Sequence, residues 1–306
     1  MADALRIVLG GGNFGGIGSA PELVGHGESE EEAFVLMTAA WEAGIRWFDT
    51  ADAYGGGRSE RAIGRWIRAT GNHPRLTTKT FNPMEAGADR GLRRDRILRQ
   101  LESSLERLGV DSVDVYLAHA FDPDTDPAET MSAFEELVGR GVVRTYGVSN
   151  FDGAQLRLAL AAGRPQIVQN EFSLLAAGDE RDVMPLCAEH GIHYQAFSPL
   201  AGGWLTGKYR RGEPWPPGSR MTLRPEPYEA LVRERTFEAL EALRAEASAR
   251  DSDLATLAVA WVLSAPGVAS VVVGARRPGQ LRPALAALDL RLSEEERGKL
   301  ASLFDG

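Results

Sequence analysis

GIRWFDTADAYGGGRSERAIGRWIRATGNHPRLTTK, running from Gly44 to Lys79, is the stretch whose reading decides the fold. It opens with a short apolar run ending at Asp49, passes through three glycines, forms an amphipathic helix over SERAIGRWIRAT, and returns in a second short run, RLTTK. A strand, a helix and a strand of these lengths make one parallel pair joined by a right-handed crossover. The unit sets Asp49, Tyr54 and Lys79 at the exits of two successive predicted strands. A tyrosine that gives up its proton near neutral pH starts from a pKa of about 10, so it needs a neighbouring cation, and that cation needs an anion. These three residues are of the right types, and only the fold can bring them together.

The same rhythm extends in both directions. Before the stretch come LRIVL at 5 to 9, a Gly-rich loop, and SEEEAFVLMTAAWEAG from Ser29, with a capping serine, an acidic first turn and a Gly44 stop. After it come a helix from about Arg94 to Leu108, SVDVYLAHA, a helix from Ala128 to Arg140, VVRTYGVSN, GAQLRLALAAG and QIVQNEFS. A helix around RDVMPLCAEH, then HYQAFSPL, a helical region from about Tyr228 to Ser264, VASVVVGA and PGQLRPALAAL complete the series. Eight strand-helix pairs favour a closed (β/α)8 TIM barrel over an open doubly wound sheet. A single domain over residues 1–306 is expected, with a C-terminal helix and a long Gly/Pro-rich loop after strand 7, roughly Ala201 to Pro227, serving as a lid or binding loop. In such a barrel the loops after the strands gather at one face and build the site. Asp49, Tyr54, Lys79, His119, Ser149, Asn150, Gln169, Ser198 and Gly274 all fall there.

Composition narrows the function classes. Of 306 residues, 43% are hydrophobic and 25% charged, which suits a folded chain with a large core. With 34 Lys and Arg against 43 Asp and Glu, the net charge is −9, which repels a phosphate backbone and argues against nucleic acid. The single Cys187 cannot form an internal disulfide. The N-terminus lacks a secretory pattern, and no apolar run reaches the ~18 residues of a membrane span, so a cytoplasmic, membrane-free protein is expected. A homo-oligomer is left open.

Seven motifs, DTADAYGGGRSERAIG, TTK, VDVYLAHA, GVSNF, QNEFS, AFSPLAGGWLTGKY and GARRPGQL, stand in an order and spacing that resembles the aldo-keto reductase superfamily from about Leu9 to Leu288. AFSPLAGGWLTGKY followed by GSRM is most similar to the aflatoxin-aldehyde and succinic-semialdehyde reductase branch and related bacterial enzymes. The resemblance implies a TIM barrel with NADPH across its carboxyl face and a catalytic tetrad of Asp49, Tyr54, Lys79 and His119.

The chemistry of such a tetrad can be argued from the residues. Hydride transfer to a carbonyl builds negative charge on oxygen, which must be stabilised and protonated. Tyr54 is the candidate acid, Lys79 is expected to lower its pKa, Asp49 compensates the buried ammonium, and His119 donates a hydrogen bond to the carbonyl. Taken singly, each residue is explained as well by an ion pair, a surface aromatic, a solvated charge or a buried histidine.

The resemblance also implies a cofactor site. Ser149, Asn150 and Gln169 would hold the nicotinamide carboxamide, although capping of strand ends is an ordinary use of such residues. Phe197 stands where the family usually carries a stacking tyrosine, and phenylalanine keeps the surface without the hydroxyl. Ser198, Leu200, Gly202 and Lys208 would follow the pyrophosphate. GARRPGQL opens a helix after the last strand, which favours a phosphate, and makes Gly274, Ala275, Arg276 and Gln280 candidates for the adenosine end. Arg276 would take the 2′-phosphate of NADPH. The family often continues this motif with Glu-Asn, whereas Pro283 and Ala284 follow here, which leaves room for NADH.

Two motifs are decoys. Gly10 to Gly15 spells G-x-G-x-x-G, with Glu30 near a ribose position, but the third glycine opens no helix because IGSAP intervenes. His190 and His193 lack further ligands for a metal, and no metal is expected. Candidate substrate walls are Phe14, Phe81, Phe121 and Trp204, an apolar and partly aromatic pocket for an aldehyde or ketone on a modest hydrophobic or sugar-like body, with core packing as the competing use. Two competitors to a reductase stand: a nucleotide-binding redox sensor or regulatory subunit of the same fold with little turnover, and a Schiff-base aldolase using Lys79.

Overall fold

Strand β2, Trp47–Asp49, lies between β1, Ile7–Gly10, and β3, Arg75–Thr80, with Phe48 level with Leu9 on one side and Leu76 on the other. These relations come from a computed structural model that describes residues 6–304. Leu5, the first residue of the expected first strand, falls outside that range. The parallel pairing continues through β4, Val113–Ala118, β5, Val143–Ser149, β6, Ile167–Glu171, β7, His193–Phe197, and β8, Val268–Gly274. Strand β8 pairs back onto β1, so the sheet is a closed eight-stranded barrel in sequence order. The expected (β/α)8 architecture is the observed one.

The helices between the strands are α1, Glu30–Glu42, α2, Arg58–Thr70, α3, Arg94–Leu108, α4, Pro127–Gly139, α5, Gly153–Ala162, and α6, Val183–His190. Their starts follow capping chemistry. Ser29 accepts from the Glu32 amide while Glu32 reaches back to the Ser29 amide, and Asp152 with Gln155 repeats the arrangement on α5. Helix α2 approaches α3 so closely that a Cβ at Gly64 would lie 2.5 Å from the Leu108 carbonyl oxygen, so only glycine allows this contact.

Beyond β7 the chain departs from the simple alternation. The segment expected as an irregular lid contains a 3-10 turn over Ala201–Thr206, a short helix α7, Arg220–Leu223, and another 3-10 turn over Glu226–Leu231. The expected helical region from Tyr228 to Ser264 is two helices, α8, Glu234–Ser248, and α9, Leu254–Leu263, and all ten residues of α9 are buried. After β8 the residues Pro278–Leu281 form a 3-10 turn rather than the start of a long helix, followed by the five-residue α10, Arg282–Ala286. Helix α11, Glu294–Ser302, is the last element described. No described helix is long and apolar enough to cross a membrane.

The core has two layers. A small inner cluster of Val115, Leu117 and Ile167, with Trp47 against it, fills the barrel interior. A large outer cluster, including Trp66, Phe134 and Trp261, joins strands to helices. Because strand side chains alternate, β3 sends Thr77 and Lys79 inward, where Trp47 and Asp49 meet them, and Thr78 and Thr80 outward to α2 and α3.

Candidate active site

The end of β2 and the end of β3 bring a carboxylate and an ammonium together above the inner apolar cluster. Lys79 Nζ donates to Asp49 Oδ2 at 2.6 Å and to the Thr50 carbonyl at 2.9 Å, and it stands 3.4 Å from the Tyr54 hydroxyl. Lys79 is fully buried, and Asp49 nearly so. Tyr54 reaches them because the chain turns sharply through Gly55, Gly56 and Gly57, all at positive φ. His119, the first residue after β4, lies edge-on to Tyr54 with ring centroids 5.4 Å apart. The four residues expected to meet do so.

Their electrostatics differ in one respect from the sequence expectation. Burial tends to strip the proton from Lys79, but Asp49 and Tyr54 outweigh it and hold the pKa above its ordinary value. Burial raises the Tyr54 pKa, Lys79 pulls it back, and the sum remains above the ordinary tyrosine value. Tyr54 is therefore not depressed but held protonated at neutral pH. Burial, then the nearby Lys79, push His119 well below its usual pKa, so its imidazole is neutral.

Second-rank contacts cross the barrel. Gln169 Nε2 donates to Asp49 Oδ1 at 2.7 Å and to Gln195 Oε1 at 2.6 Å, and Gln195 Nε2 donates to Ser270 Oγ at 2.8 Å. Gln169 thus anchors the ion pair from the opposite wall. Asn150 Nδ2 donates to the His119 carbonyl at 2.8 Å and to Ser149 Oγ at 3.1 Å. Sequence reasoning did not foresee Gln195, Asn82 or Arg220 at this face. Gln195 gave a signal, since it shares the inward register of Gln169.

Asp49, Tyr54 and His119 line a cavity of about 540 Å³. Of the cofactor candidates, Ser149, Asn150, Gln169, Phe197, Ser198, Leu200, Gly202, Lys208, Gly274, Arg276 and Gln280 line it, whereas Ala275 is buried behind it. The substrate candidates fare differently. Trp204 is wholly buried and packs against Tyr209, Trp215 and Phe237, because the turn at Gly202 and Gly203 directs it into the helix layer. Phe14 is also buried, beside the first loop and α1, and lines no part of this cavity. Phe81 and Phe121 are half-buried and stand outside the cavity wall, Phe121 edge-on to Phe151. Asn13, the neighbour of Phe14 in the first loop, does line it, and so does Arg220.

The far end of the cavity suits a polyanion. Lys208, Arg220 and Arg276 crowd one another there, and burial and then the two arginines lower the Lys208 pKa. Glu28 opposes them, paired with Arg276 Nε, while Arg276 Nη1 donates to the Gly218 carbonyl at 2.7 Å and its amide to Gln280 Oε1 at 2.7 Å. Asn150 and Ser198 hold positive φ values of 60° and 56° in the cavity wall, a conformation that costs energy for non-glycine residues and concentrates at ligand sites. Amide and hydroxyl groups near the tetrad and clustered cations away from it fit a dinucleotide. Gly10 to Gly15 opens no helix, and no group of three metal-ligating side chains occurs among the described residues.

The closed barrel holds Asp49, Tyr54, Lys79 and His119 together at its carboxyl face, and known proteins share its sequence and fold. The sequence profile of the Aldo/keto reductase family matches residues 6–305, and the chain belongs to that family. It is 33% identical over 274 residues to a probable voltage-gated potassium channel subunit beta from Oryza sativa subsp. japonica, covering 85% of this chain and 83% of that one. It is 31% identical over 275 residues to the NADH-specific methylglyoxal reductase of Escherichia coli strain K12, covering 84% and 82%. Among solved structures, a glycerol dehydrogenase from Gluconobacter oxydans superimposes with a TM-score of 0.83 at 26% identity, covering 99% of this chain and 92% of that one. Family membership makes the protein an oxidoreductase of carbonyl chemistry that uses a nicotinamide cofactor.

Proposed function

We propose that the protein reduces an aldehyde or ketone to an alcohol with NADPH, and that Tyr54 is the general acid. The observation that carries this is the Tyr54 hydroxyl 3.4 Å from a buried, Asp49-paired Lys79 and edge-on to a neutral His119 in one cavity wall. When bound, the nicotinamide supplies the hydride. The protein's own part is electrostatic and positional. Tyr54, protonated at neutral pH, donates to the substrate oxygen and releases its proton as charge develops there. Lys79 stabilises the resulting tyrosinate, Asp49 keeps Lys79 charged, and His119 gives the same oxygen a second donor. Ser149 and Asn150 hold the carboxamide side of the cofactor, with Gln169 beneath them, and Phe197 offers a stacking face. Lys208, Arg220 and Arg276 hold its phosphates, with Arg276 favouring the 2′-phosphate.

Residues 1–306 act as one unit in this proposal, supported by a single large apolar cluster whose members run from Ile7 to Leu300. NADPH is the preferred cofactor because three cations converge where the phosphates would lie. The bacterial relative named as NADH-specific makes the comparison with NADH the sharper test. The rice relative, named as a channel subunit, supports a second reading in which nucleotide binding regulates a partner with little turnover. The raised Lys79 pKa disfavours a Schiff-base role, which needs the neutral amine.

The test is a panel of aldehydes and ketones run with NADPH and with NADH on the wild type and on Tyr54→Phe. Steady NADPH consumption that falls on the order of 10³-fold in the variant, with cofactor affinity kept, is the expected result. Unchanged activity in Tyr54→Phe removes the assigned acid. Tight nucleotide binding without turnover on any carbonyl supports the regulatory reading.

A further inference from the structure

Asn82 lies three residues past Lys79, outside the tetrad and the cofactor groups. Its side-chain Nδ2 stands 3.3 Å from His119 Nδ1. Both partners are fixed through their main chains. The Asn82 carbonyl accepts from Nη2 of Arg96 at 2.8 Å, and that fully buried guanidinium also donates to Thr80 Oγ1 at 2.8 Å and the Gly91 carbonyl at 3.1 Å. The His119 amide donates to the Thr80 carbonyl at 2.9 Å, and the His119 carbonyl accepts from Asn150. The contact between amide and imidazole is therefore held from both sides by the end of β3.

A neutral imidazole carries one donor and one acceptor, and an amide NH₂ only donates. With Asn82 Nδ2 facing Nδ1, that nitrogen must be the acceptor, and the ring proton sits on Nε2. Nδ1 is then occupied, and the nitrogen left for a ligand in the cavity is a donor. We propose that Asn82 is a positioning residue that fixes His119 as the Nε2–H tautomer, so that the imidazole offers a substrate carbonyl a hydrogen-bond donor and not a lone pair. The depressed pKa of His119 agrees, since only the neutral ring has a tautomer to choose. The consequence for turnover rests on the proposed carbonyl reduction, but the tautomer itself does not.

The experiment is long-range ¹H–¹⁵N correlation NMR of the protein labelled with ¹⁵N-histidine. The chain has five histidines, and the His119 signals are assigned by their loss in His119→Gln. The wild type should show an unprotonated Nδ1 and a protonated Nε2 at neutral pH. Asn82→Leu should show a mixture of tautomers and lose about tenfold in kcat, the worth of one hydrogen bond, with cofactor affinity unchanged. Asn82→Asp supplies an acceptor and a negative charge. It should move the proton to Nδ1, raise the His119 pKa, and bring a histidine ionisation into the kcat/KM profile between about pH 5 and 8. A protonated Nδ1 in the wild type, or a tautomer identical in wild type, Asn82→Leu and Asn82→Asp, overturns the proposal. Failure of every carbonyl substrate leaves the NMR result standing and strikes only the proposed reaction.

Discussion

The two faces of β3 carry two buried charge clusters of opposite character. On the inner face, Lys79, Asp49, Gln169 and Tyr54 form a set that opens onto the cavity through the Tyr54 hydroxyl. On the outer face, Glu60 accepts from Thr78 Oγ1 and from Arg107 Nε, each at 2.6 Å, Arg96 grips Thr80, and Asp52 accepts from the Ala53 amide at 2.6 Å. This outer cluster is walled by α2 and α3, and none of its members lines the cavity. Both clusters are desolvated; Lys79 pairs with Asp49 in the inner one and Arg107 with Glu60 in the outer, where Asp52 Oδ2 is buried without a hydrogen-bond partner. Only the inner one has a proton that a ligand can reach, so burial tunes chemistry on one face and fastens sheet to helices on the other.

Breaking each cluster should separate the two roles. Lys79→Met is the largest lesion. It should cut carbonyl reduction by about 10³-fold in steady-state assays, and it should also lower the melting temperature because Asp49 is left buried without its cation. Arg107→Met leaves Glu60 in the same position on the outer face. We expect a loss of about 3 to 5 kcal/mol in urea unfolding with kcat of the folded protein unchanged. A fall in kcat matching that of Lys79→Met would erase the distinction between the faces.

Asp52 sharpens the comparison through pH. Burial first, and then Glu60, push its pKa from 3.8 up to about 7. A carboxyl raised on folding favours the native state while it is protonated, and this contribution is lost as pH rises through its folded pKa. Asp52→Asn keeps an oxygen for the Ala53 amide and cannot ionise. Its gain over the wild type should be absent near pH 4, grow between pH 4 and 7, and level off above, reaching up to about 4 kcal/mol. Denaturant titrations at pH 4 and pH 8 measure it, and equal gains at both would show that Asp52 does not titrate with folding.

The smallest expected effect lies at the far end of the cavity. Arg276 is shared with Glu28 and Gly218, so its grip on a 2′-phosphate is divided. Arg276→Met should reduce the NADPH-over-NADH affinity ratio by about tenfold, the range of one exposed charged hydrogen bond, as read by fluorescence titration of both cofactors. An unchanged ratio would assign the discrimination elsewhere, with Lys208 and Arg220 next in line.

Much of this was legible because it is local. Strand-helix alternation announces the barrel, and Asp49, Tyr54 and the glycines between Tyr54 and Arg58 lie within one turn of chain, so their meeting needs little long-range information. Lys79 and His119 follow once the strands are in order. What escaped depends on closure of the barrel. The Gln169–Asp49 bond joins residues 120 positions apart, and the Arg276–Glu28 pair joins residues 248 apart. Trp204 misled because its type suits a pocket wall, whereas two glycines at positive φ turn it inward; its aromatic neighbours Tyr209, Trp215 and Phe237 were the signal of a core. At Tyr54 the expected lowering by Lys79 is present but outweighed, because sequence counts the cation but not the depth of burial that opposes it.

The Gln169–Asp49 bond has a consequence for how the barrel can be divided. Asp49, Tyr54, Lys79 and His119 all come from β2, β3 and β4 or the residues just after them, while Gln169 and Asn150, which brace them, belong to β6 and the end of β5. A cut at Gly141, between α4 and β5, would give two four-stranded fragments, one with Asp49, Tyr54, Lys79 and His119 and one with their braces. Neither fragment alone holds a complete site, and reassociation of the two would be read out as recovered turnover, making this enzyme fold a reporter of its own assembly.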